Sequence, residues 1–493
     1  MRGIDAQTRT RRIPTATAAL VAAAVAVAPF VPLDPLKPTV ESRLSATLGR
    51  KVTVNAVRLS LAGGPYLIID GMTAREDPAF GEGNFLEADQ VRAILALLPF
   101  ALRRQIVIEA LDMKSPRFTF VKNGGAWSWA TVGRARAASS SPREVFTRRA
   151  MAVLITAASV DALNIEGASV SLIDQSSSQS PESIYKNVAL RADITRQSGD
   201  QGSRIVGELH AESDGAEGSE LLKAHMPFDL VVDRAATGEA SARGSIGPGR
   251  LETRGIAADS FKSSLDFKDN RLTLDQMDLG LYDGSLAGRM ELDLKSQRFT
   301  AEGQVTSLNL DQAISSKLGM PGQITGHIDA QFKLDGELRS FQETIPTVNG
   351  SGRLSSSEMF IASVNLSEQV ARALRLNEIG DMGAGTKLGS LQTDFHVSQG
   401  EVRTTNLSIQ QLDGLGDAKS DQGWLKVATA PTLDFSATVL LTPDATARVK
   451  TTSPLLGMAI AILENNSRVA VPVNIRGQVS SPAVQVDVSK IFR

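Results

Sequence analysis

The sequence predicts a mainly β protein: an N-terminal transmembrane helix followed by an elongated, curled antiparallel β-sheet, groove-like or taco-like, with a few short helices. Three observations predict it. An uncharged apolar run, Ile13 to Leu33, stands near the start and has no counterpart elsewhere. From Ser159 onward apolar residues mostly alternate with polar ones at period two, which gives each strand one apolar and one polar face. One-sided strands belong to antiparallel sheets, and roughly 20 of them exceed the about 10 that a twisted open sheet holds before it curls or splits. The apolar faces are therefore expected to turn inward, against each other or around a lumen.

Arg9, Arg11 and Arg12 precede the apolar run and Asp34 closes it. A helix of about 20 apolar residues crosses a hydrocarbon core of roughly 30 Å, so residues 13–33 are read as a retained anchor. The alternative is a cleaved secretory signal, because Ala26-Val27-Ala28 resembles a cleavage site. Pro29 would then follow the cut, a poor place for a residue without an N–H. In both readings residues 1–12 stay in the cytoplasm by the positive-inside rule and the bulk of the chain is exported.

Residues 34–133 read as an N-terminal β module with a helix. Pro35 to Lys51 is the helix, with Val40, Leu44 and Leu48 on one face and Gly49 as a stop. Val52 to Val54, then Val57, Leu59 and Leu61, change to period two. Gly63-Gly64-Pro65 turns the chain and Tyr66 to Ile69 resumes it, a hairpin. Val91 to Leu102 is strongly apolar and is expected to be a buried helix, its end set near Pro99. Ile106 and Ile108, then Phe118 and Phe120, give two strands, and Asn123-Gly124-Gly125 a turn before Trp127 and Trp129. Residues 134–158 form a Ser/Ala/Arg linker and a helix, Glu144 to Ala158. Residues 159–260 are a middle β region and 261–493 a C-terminal β module. Three helical candidates interrupt them: Leu310–Leu318, Leu366–Leu376 and Pro454–Leu463.

The alternation is cleanest in the C-terminal module. Leu286, Met290, Leu292 and Leu294 share one parity; so do Ile324, Ile328, Phe332 and Leu334, against His327, Asp329, Gln331 and Lys333 on the other. The pattern returns in Leu391–Val397, Leu433–Leu441, Val469–Ile475 and Val484–Val488. Asp283-Gly284 and Asp335-Gly336 are read as turns between strands.

Composition removes several classes of function. There are no cysteines, hence no disulfides, thiol nucleophiles or Cys-type metal sites. A net charge of −2 gives no case for nucleic-acid binding. The four histidines, His210, His225, His327 and His396, share no ligand spacing, so no metal is expected. Gly380 to Lys387 looks like a phosphate loop, but Thr386 separates the last glycine from the lysine and a flexible turn is the better reading. No nucleophile elbow occurs and no carboxylate pair stands out. Neither catalytic residues nor a cofactor are expected.

Several stretches resemble the AsmA-like family of Gram-negative envelope proteins. They are the anchor followed by Val40-Glu-Ser-Arg-Leu44 and Leu48-Gly-Arg-Lys-Val52-Thr-Val54; Tyr66-Leu-Ile-Ile-Asp-Gly-Met72; Ala93-Ile-Leu-Ala-Leu-Leu-Pro99; Ile106-Val-Ile-Glu-Ala-Leu-Asp-Met113; Pro116-Arg-Phe-Thr-Phe120; and Asn123-Gly-Gly-Ala-Trp127. Leu281-Tyr-Asp-Gly-Ser-Leu-Ala-Gly288 is similar to the family's strand–turn–strand repeat. Val471-Pro-Val-Asn-Ile-Arg-Gly477 with Ser481-Pro482 is similar to its closing strands. The resemblance covers about residues 13–133 and 260–493 and makes those modules AsmA-like. It implies a single-pass inner-membrane protein whose bulk lies in the periplasm. The large members, like the similar TamB-like proteins, look like bridges carrying phospholipid along an apolar groove, whereas this chain is similar to the shorter members, associated with outer-membrane biogenesis.

The expected function is non-enzymatic: shielding or moving phospholipid along the apolar groove. Its lining is expected at Leu286, Met290, Leu292, Leu294, Ile324, Ile328, Phe332, Leu334, Leu433, Phe435 and Val439. Expected partners are phospholipid acyl chains, the inner membrane through the N-terminal helix, and envelope assembly proteins. The alternatives are a scaffold that assists outer-membrane protein assembly and an envelope enzyme on a β frame. Pro454–Leu463, apolar nearly all round, is expected to plug the end of the β structure or to contact lipid or a partner.

Overall fold

The structure, a computed structural model, describes residues 31–32, 36–60, 66–95, 108–123, 126–132, 160–175, 182–196, 202–216, 219–234, 240–253, 256–318, 322–338, 341–362, 364–373, 385–412, 414–427, 431–452, 468–479 and 481–487. They are mainly β. Contacts divide the chain into two units, Met1–Leu221 with Val231–Ala240, and Leu222–Leu230 with Ser241–Arg493. The expected divisions near 133 and 260 are not the ones these contacts draw.

The first unit holds β1 (Val31–Pro32), helix α1 (Lys37–Leu48), β2 (Val52–Thr53), β3 (Ala56–Ser60), β4 (Tyr66–Arg75), β5 (Asn84–Leu95), β6 (Ile108–Lys114), β7 (Arg117–Asn123), β8 (Ala126–Trp127), β9 (Ala162–Asp174), β10 (Glu182–Arg196) and β11 (Ser203–Asp214). Strand β12 (Leu221–Arg234) is divided between the units. Helix α1 ends as its sequence predicts, at Gly49 in the left-handed region (φ 67°), whose N–H donates to the Ser45 carbonyl. Two of its polar side chains bind the strand that follows: Ser45 Oγ accepts from Val52 N at 2.9 Å and Glu41 Oε1 from Val54 N at 2.9 Å. Val40, Leu44 and Leu48 then pack on a closed core.

That core is built by β3, β4 and β5, an antiparallel meander that buries Val57, Ile69, Ala74, Val91, Ala93 and Leu95. Here one expectation fails. Val91 to Leu95 is strand, not helix, and it pairs with β4 on one side and β6 on the other. Burial there alternates, Val91, Ala93 and Leu95 inward against exposed Arg92. An apolar run flanked on both edges by partners reads the same as a buried helix until its pairing is known. Residues 96–102 lie outside the described ones.

A second correction concerns strand direction. Strand β9 runs parallel to both β6 and β7, Ala110 opposite Ala162 and Phe118 opposite Val170. A parallel pair needs a long crossover, and residues 133–159 supply the length. That stretch contains the expected linker and helix Glu144–Ala158, which lie outside the described residues. A third concerns the anchor. Val31–Pro32 pairs with Leu59 and Arg58 of β3, so the expected helix does not include these two residues; prolines at 29 and 32 cannot donate to a helical ladder. Residues 13–30 lie outside the described ones, and no helix of the described residues is long and apolar enough to cross a membrane.

The second unit is a succession of antiparallel pairs. It runs β13 (Ala240–Thr253), β14 (Ile256–Lys268), β15 (Arg271–Leu281), β16 (Gly284–Asp293), β17 (Arg298–Asn309), β18 (Ile324–Glu337), β19 (Asn349–Ile361), β20 (Thr386–Ser398), β21 (Glu401–Thr404), β22 (Leu407–Leu412), β23 (Gly416–Lys426), β24 (Thr432–Leu441), β25 (Ala470–Gln478) and β26 (Ser481–Val486). Its longer helices among the described residues are α2 (Leu310–Leu318), α3 (Leu366–Ala373) and α4 (Pro443–Thr452); a single helical turn, Phe341–Thr344, precedes β19. The first two match their sequence signals, capped by Asn309 and Asn365, whose side-chain oxygens accept from Gln312 N and Glu368 N. The third was not expected. Its start, Thr442-Pro443-Asp444, carries a capping hydroxyl, which accepts from Ala445 N at 3.3 Å, and a proline in the first turn. Pro454–Leu463 lies outside the described residues.

The two Asp-Gly signals part company. At the first, Tyr282 and Asp283 both have positive φ (49° and 57°) and form a two-residue hairpin loop, Gly284 already being strand. At the second there is no turn: Gly336 lies inside β18, buried opposite Phe299.

Candidate functional site

Register places the apolar parities of the second unit in continuous rows, because residues opposite each other share a face. One row crosses thirteen strands: Gly244, Leu265, Leu274, Met290, Ala301, Leu334, Gly350, Val397, Val402, Leu425, Leu433, Gly477 and Pro482. It contains no polar side chain. A neighbouring row runs Met277, Gly288, Gly303, Phe332, Gly352, Phe395, Thr404, Gly423, Phe435, Ile475 and Val484, with one hydroxyl. A third runs Leu308, Ile328, Ser356, Leu391, Ile409, Ala418, Val439 and Val471.

Most of this face is left half-exposed. Between Leu265 and Val364 no described hydrophobic residue is buried; Gly336 and Ser356 are the only buried residues described there. Along β18 the apolar positions from Ile328 to Leu334 are half-buried while His327, Asp329, Gln331 and Lys333 are exposed. The apolar face is thus partly sheltered but not filled.

Toward the end of the unit it closes. Leu388, Leu412, Val439, Leu441, Val471 and Val473 form a buried cluster, against which Leu366 of α3 packs. Thr386 ties the entry to α3, its buried hydroxyl donating to the Val364 carbonyl at 2.6 Å and accepting from Leu366 N at 2.8 Å. Gln369 Oε1 accepts from Val484 N at 3.1 Å, fixing α3 over β26. Beside this cluster lies a small hollow of about 50 Å³, lined by Leu366, Ile409, Leu412, Phe435, Val439, Val473, Ile475 and Val484 among others.

The opposite face is polar and carries cross-strand ion pairs. Arg353 Nε meets Asp394 at 2.8 Å and Arg476 Nε meets Asp434 at 3.0 Å. The Arg353 guanidinium, helped by Asn406, holds the Asp394 carboxyl below the usual carboxylate range. Near the closed end, Arg468 does the same to Asp417, donating at 2.8 Å while it also donates to the Leu440 and Leu441 carbonyls. Exposed pairs of this kind are screened by solvent and contribute little to stability. They mark the solvated side of the sheet.

Seven of the eleven expected lining residues lie in these rows, and three more pair with apolar residues across the strands. Met290, Leu334 and Leu433 lie in the first row, Phe332 and Phe435 in the second, Ile328 and Val439 in the third. Leu286 pairs with Leu279 and Val305, Leu292 with Leu272 and Phe299, and Ile324 with Ile361. Leu294 does not belong. It sits in the turn after β16, 45% exposed, its N–H donating to the Asn270 carbonyl. The alternation that named it continues one residue past the strand. Sequence reading missed Ala301, Gly303 and Val305 of β17, whose small side chains give a faint signal, and Leu274 and Phe395, which alternate plainly.

The other candidates do not assemble into a site. His327 and His396 are exposed, Lys387 lies exposed in β20, and His210 contacts Glu212 at 3.2 Å. Among the described residues no group of three His, Asp or Glu is placed to hold a metal. No protein-family model, no curated protein and no solved structure matches the chain.

Proposed function

We propose that the chain is an AsmA-like, single-pass inner-membrane protein whose periplasmic bulk shields or moves phospholipid along the apolar face of its second unit in outer-membrane biogenesis. The observation that supports this reading is the thirteen-strand row without a polar side chain, half-buried from Leu274 to Leu433. At about 4.8 Å per strand the row is roughly 60 Å long. One leaflet's acyl chains span about 15 Å, half the hydrocarbon core, so the row is several chain lengths long. Each methylene taken from water contributes about 0.8 kcal/mol, and the polar face with its ion pairs stays in solvent. The reading uses no catalysis, cofactor or metal.

Photo-crosslinking amino acids at Ile328 and Phe332 test it in living cells. Phospholipid adducts at both positions, and not at the polar-face control Lys333, are expected. Absence of lipid at Ile328 and Phe332 in properly folded protein would contradict the reading. One observation favours a second reading, a scaffold for outer-membrane protein assembly: among the described residues β26 pairs as a strand only with β25, its other edge being met at Val484 N by Gln369 of α3. Protein adducts in place of lipid would support it.

A further inference from the structure

Strand β26 is an edge whose backbone donors can be placed one by one. Asp487 N donates to the Pro472 carbonyl at 2.9 Å, so Asp487 faces β25. In an antiparallel pair successive residues turn their N–H and C=O groups to opposite sides. Ser481, Ala483 and Gln485 therefore face β25 as well, while Pro482, Val484 and Val486 face outward. The three outward positions are unequal. Proline has no N–H to offer. Val484 N donates to Gln369 Oε1 of α3 at 3.1 Å. Among the described residues Val486 alone keeps an outward donor without such an acceptor.

Exposed edges are commonly blunted by charge, but Ser481–Val486 contains no charged residue. The guards here are the proline and the glutamine. Gln369 is held firmly from its own side. It stands one turn beyond Leu366, whose N–H donates to the buried Thr386 hydroxyl at 2.8 Å and whose side chain packs on the closed cluster. The Gln369 bond thus joins a seated helix to the outer side of β26.

We propose that α3 is an autoinhibitory clasp: Gln369 holds the β26 edge shut, and release of Val484 lets that edge pair with β26 of a second copy of this chain. The hydrogen-bonding pattern selects that occupant. With Val484 opposite Val484 of the second copy, each N–H donates to the other's carbonyl. Each Val486 N–H then reaches the Pro482 carbonyl across the junction. Every outward N–H is used, and the proline serves through the group it still has. Two uncharged edges do not repel each other. Pro482, Val484 and Val486 share the half-buried parity, so the apolar rows run on from one copy into the next. The clasp works whatever that face holds.

Sedimentation of the full chain in detergent, over a concentration series, tests it. Gln369→Met keeps the side chain's length but removes the acceptor. It should dimerise where wild type is a monomer, with a dissociation constant roughly thirtyfold lower, because one clasp bond per copy no longer has to break. Gln369→Glu retains an acceptor and should behave as wild type. Adding Val484→Pro to Gln369→Met removes the central donor at an edge position that tolerates proline and should restore the monomer. The native chain has no cysteine, so cross-linking in the Gln369→Met background reads the register. Val484→Cys should form a disulfide between copies, the Cα atoms lying about 5.5 Å apart across a hydrogen-bonded pair; Ala483→Cys should not. In wild type, residue-resolved hydrogen exchange should be about tenfold slower or more at Val484 than at Val486, a readout that serves if Gln369→Met does not fold. Association no tighter in Gln369→Met than in wild type, a dimer that persists with Val484→Pro, equal cross-linking at 483 and 484, or equal exchange at 484 and 486 would overturn the proposal.

Discussion

Strands β3–β7 of the first unit and β15–β19 of the second follow the same rule of alternation but differ in closure. In the first unit Val57 and Ala74 are fully shut from solvent, because α1 and the turn Ser128–Thr131 supply a second layer. Phe85, Phe120 and Trp129 interlock edge to face, and Trp127 stacks on Trp129 at 4.5 Å between ring centres. Arg50 pins that layer from within. Buried, it pairs with Glu76, donates to the Ser128 carbonyl at 2.6 Å and Thr131 Oγ1 at 3.0 Å, and sits 4.1 Å from the centre of the Phe85 ring. Among the described residues β15–β19 bury no comparable layer; α2 lies chiefly against β18, with fewer contacts to β17. The comparison teaches that alternation decides which face is apolar, while a second layer decides whether that face becomes a core or a surface for something else.

The comparison can be broken most sharply at the ion pair. Glu76→Ala leaves Arg50 buried and uncompensated, which should cost the first unit about 3–5 kcal/mol. Urea unfolding followed by tryptophan fluorescence measures it, Trp127 and Trp129 reporting on this unit and Trp424 on the other. Next comes a matched pair of truncations. Leu95→Ala in the closed core should cost about 2–5 kcal/mol; Leu334→Ala on the open face should cost about 1 kcal/mol or less, since little packing is lost. Equal costs would mean that the second unit is an ordinary filled core.

How much of this was legible beforehand follows the same division. Period two in Ile324–Leu334 and Leu433–Leu441 is a local property, and it assigned the faces correctly. Helices at Leu310 and Leu366 were legible as short breaks in the period-two pattern. Val91–Leu95 was not, because its identity as strand depends on β4 and β6, each distant in sequence. Asp335-Gly336 misled because glycine serves two purposes, a turn and a bed for a ring, and only the position of Phe299 tells which. What separates the burial of Leu95 from that of Leu334 is the layer above, which no local pattern records.

The absence of cysteine from the native chain permits the most direct measurement of closure. In lipid-free protein, the maleimide labelling rates of Leu334→Cys and Leu95→Cys compare the two faces. The account predicts that position 334 reacts within about tenfold of an exposed Lys333→Cys control, while position 95 waits on local unfolding and reacts orders of magnitude more slowly. Protection at 334 equal to that at 95 would contradict an open apolar face.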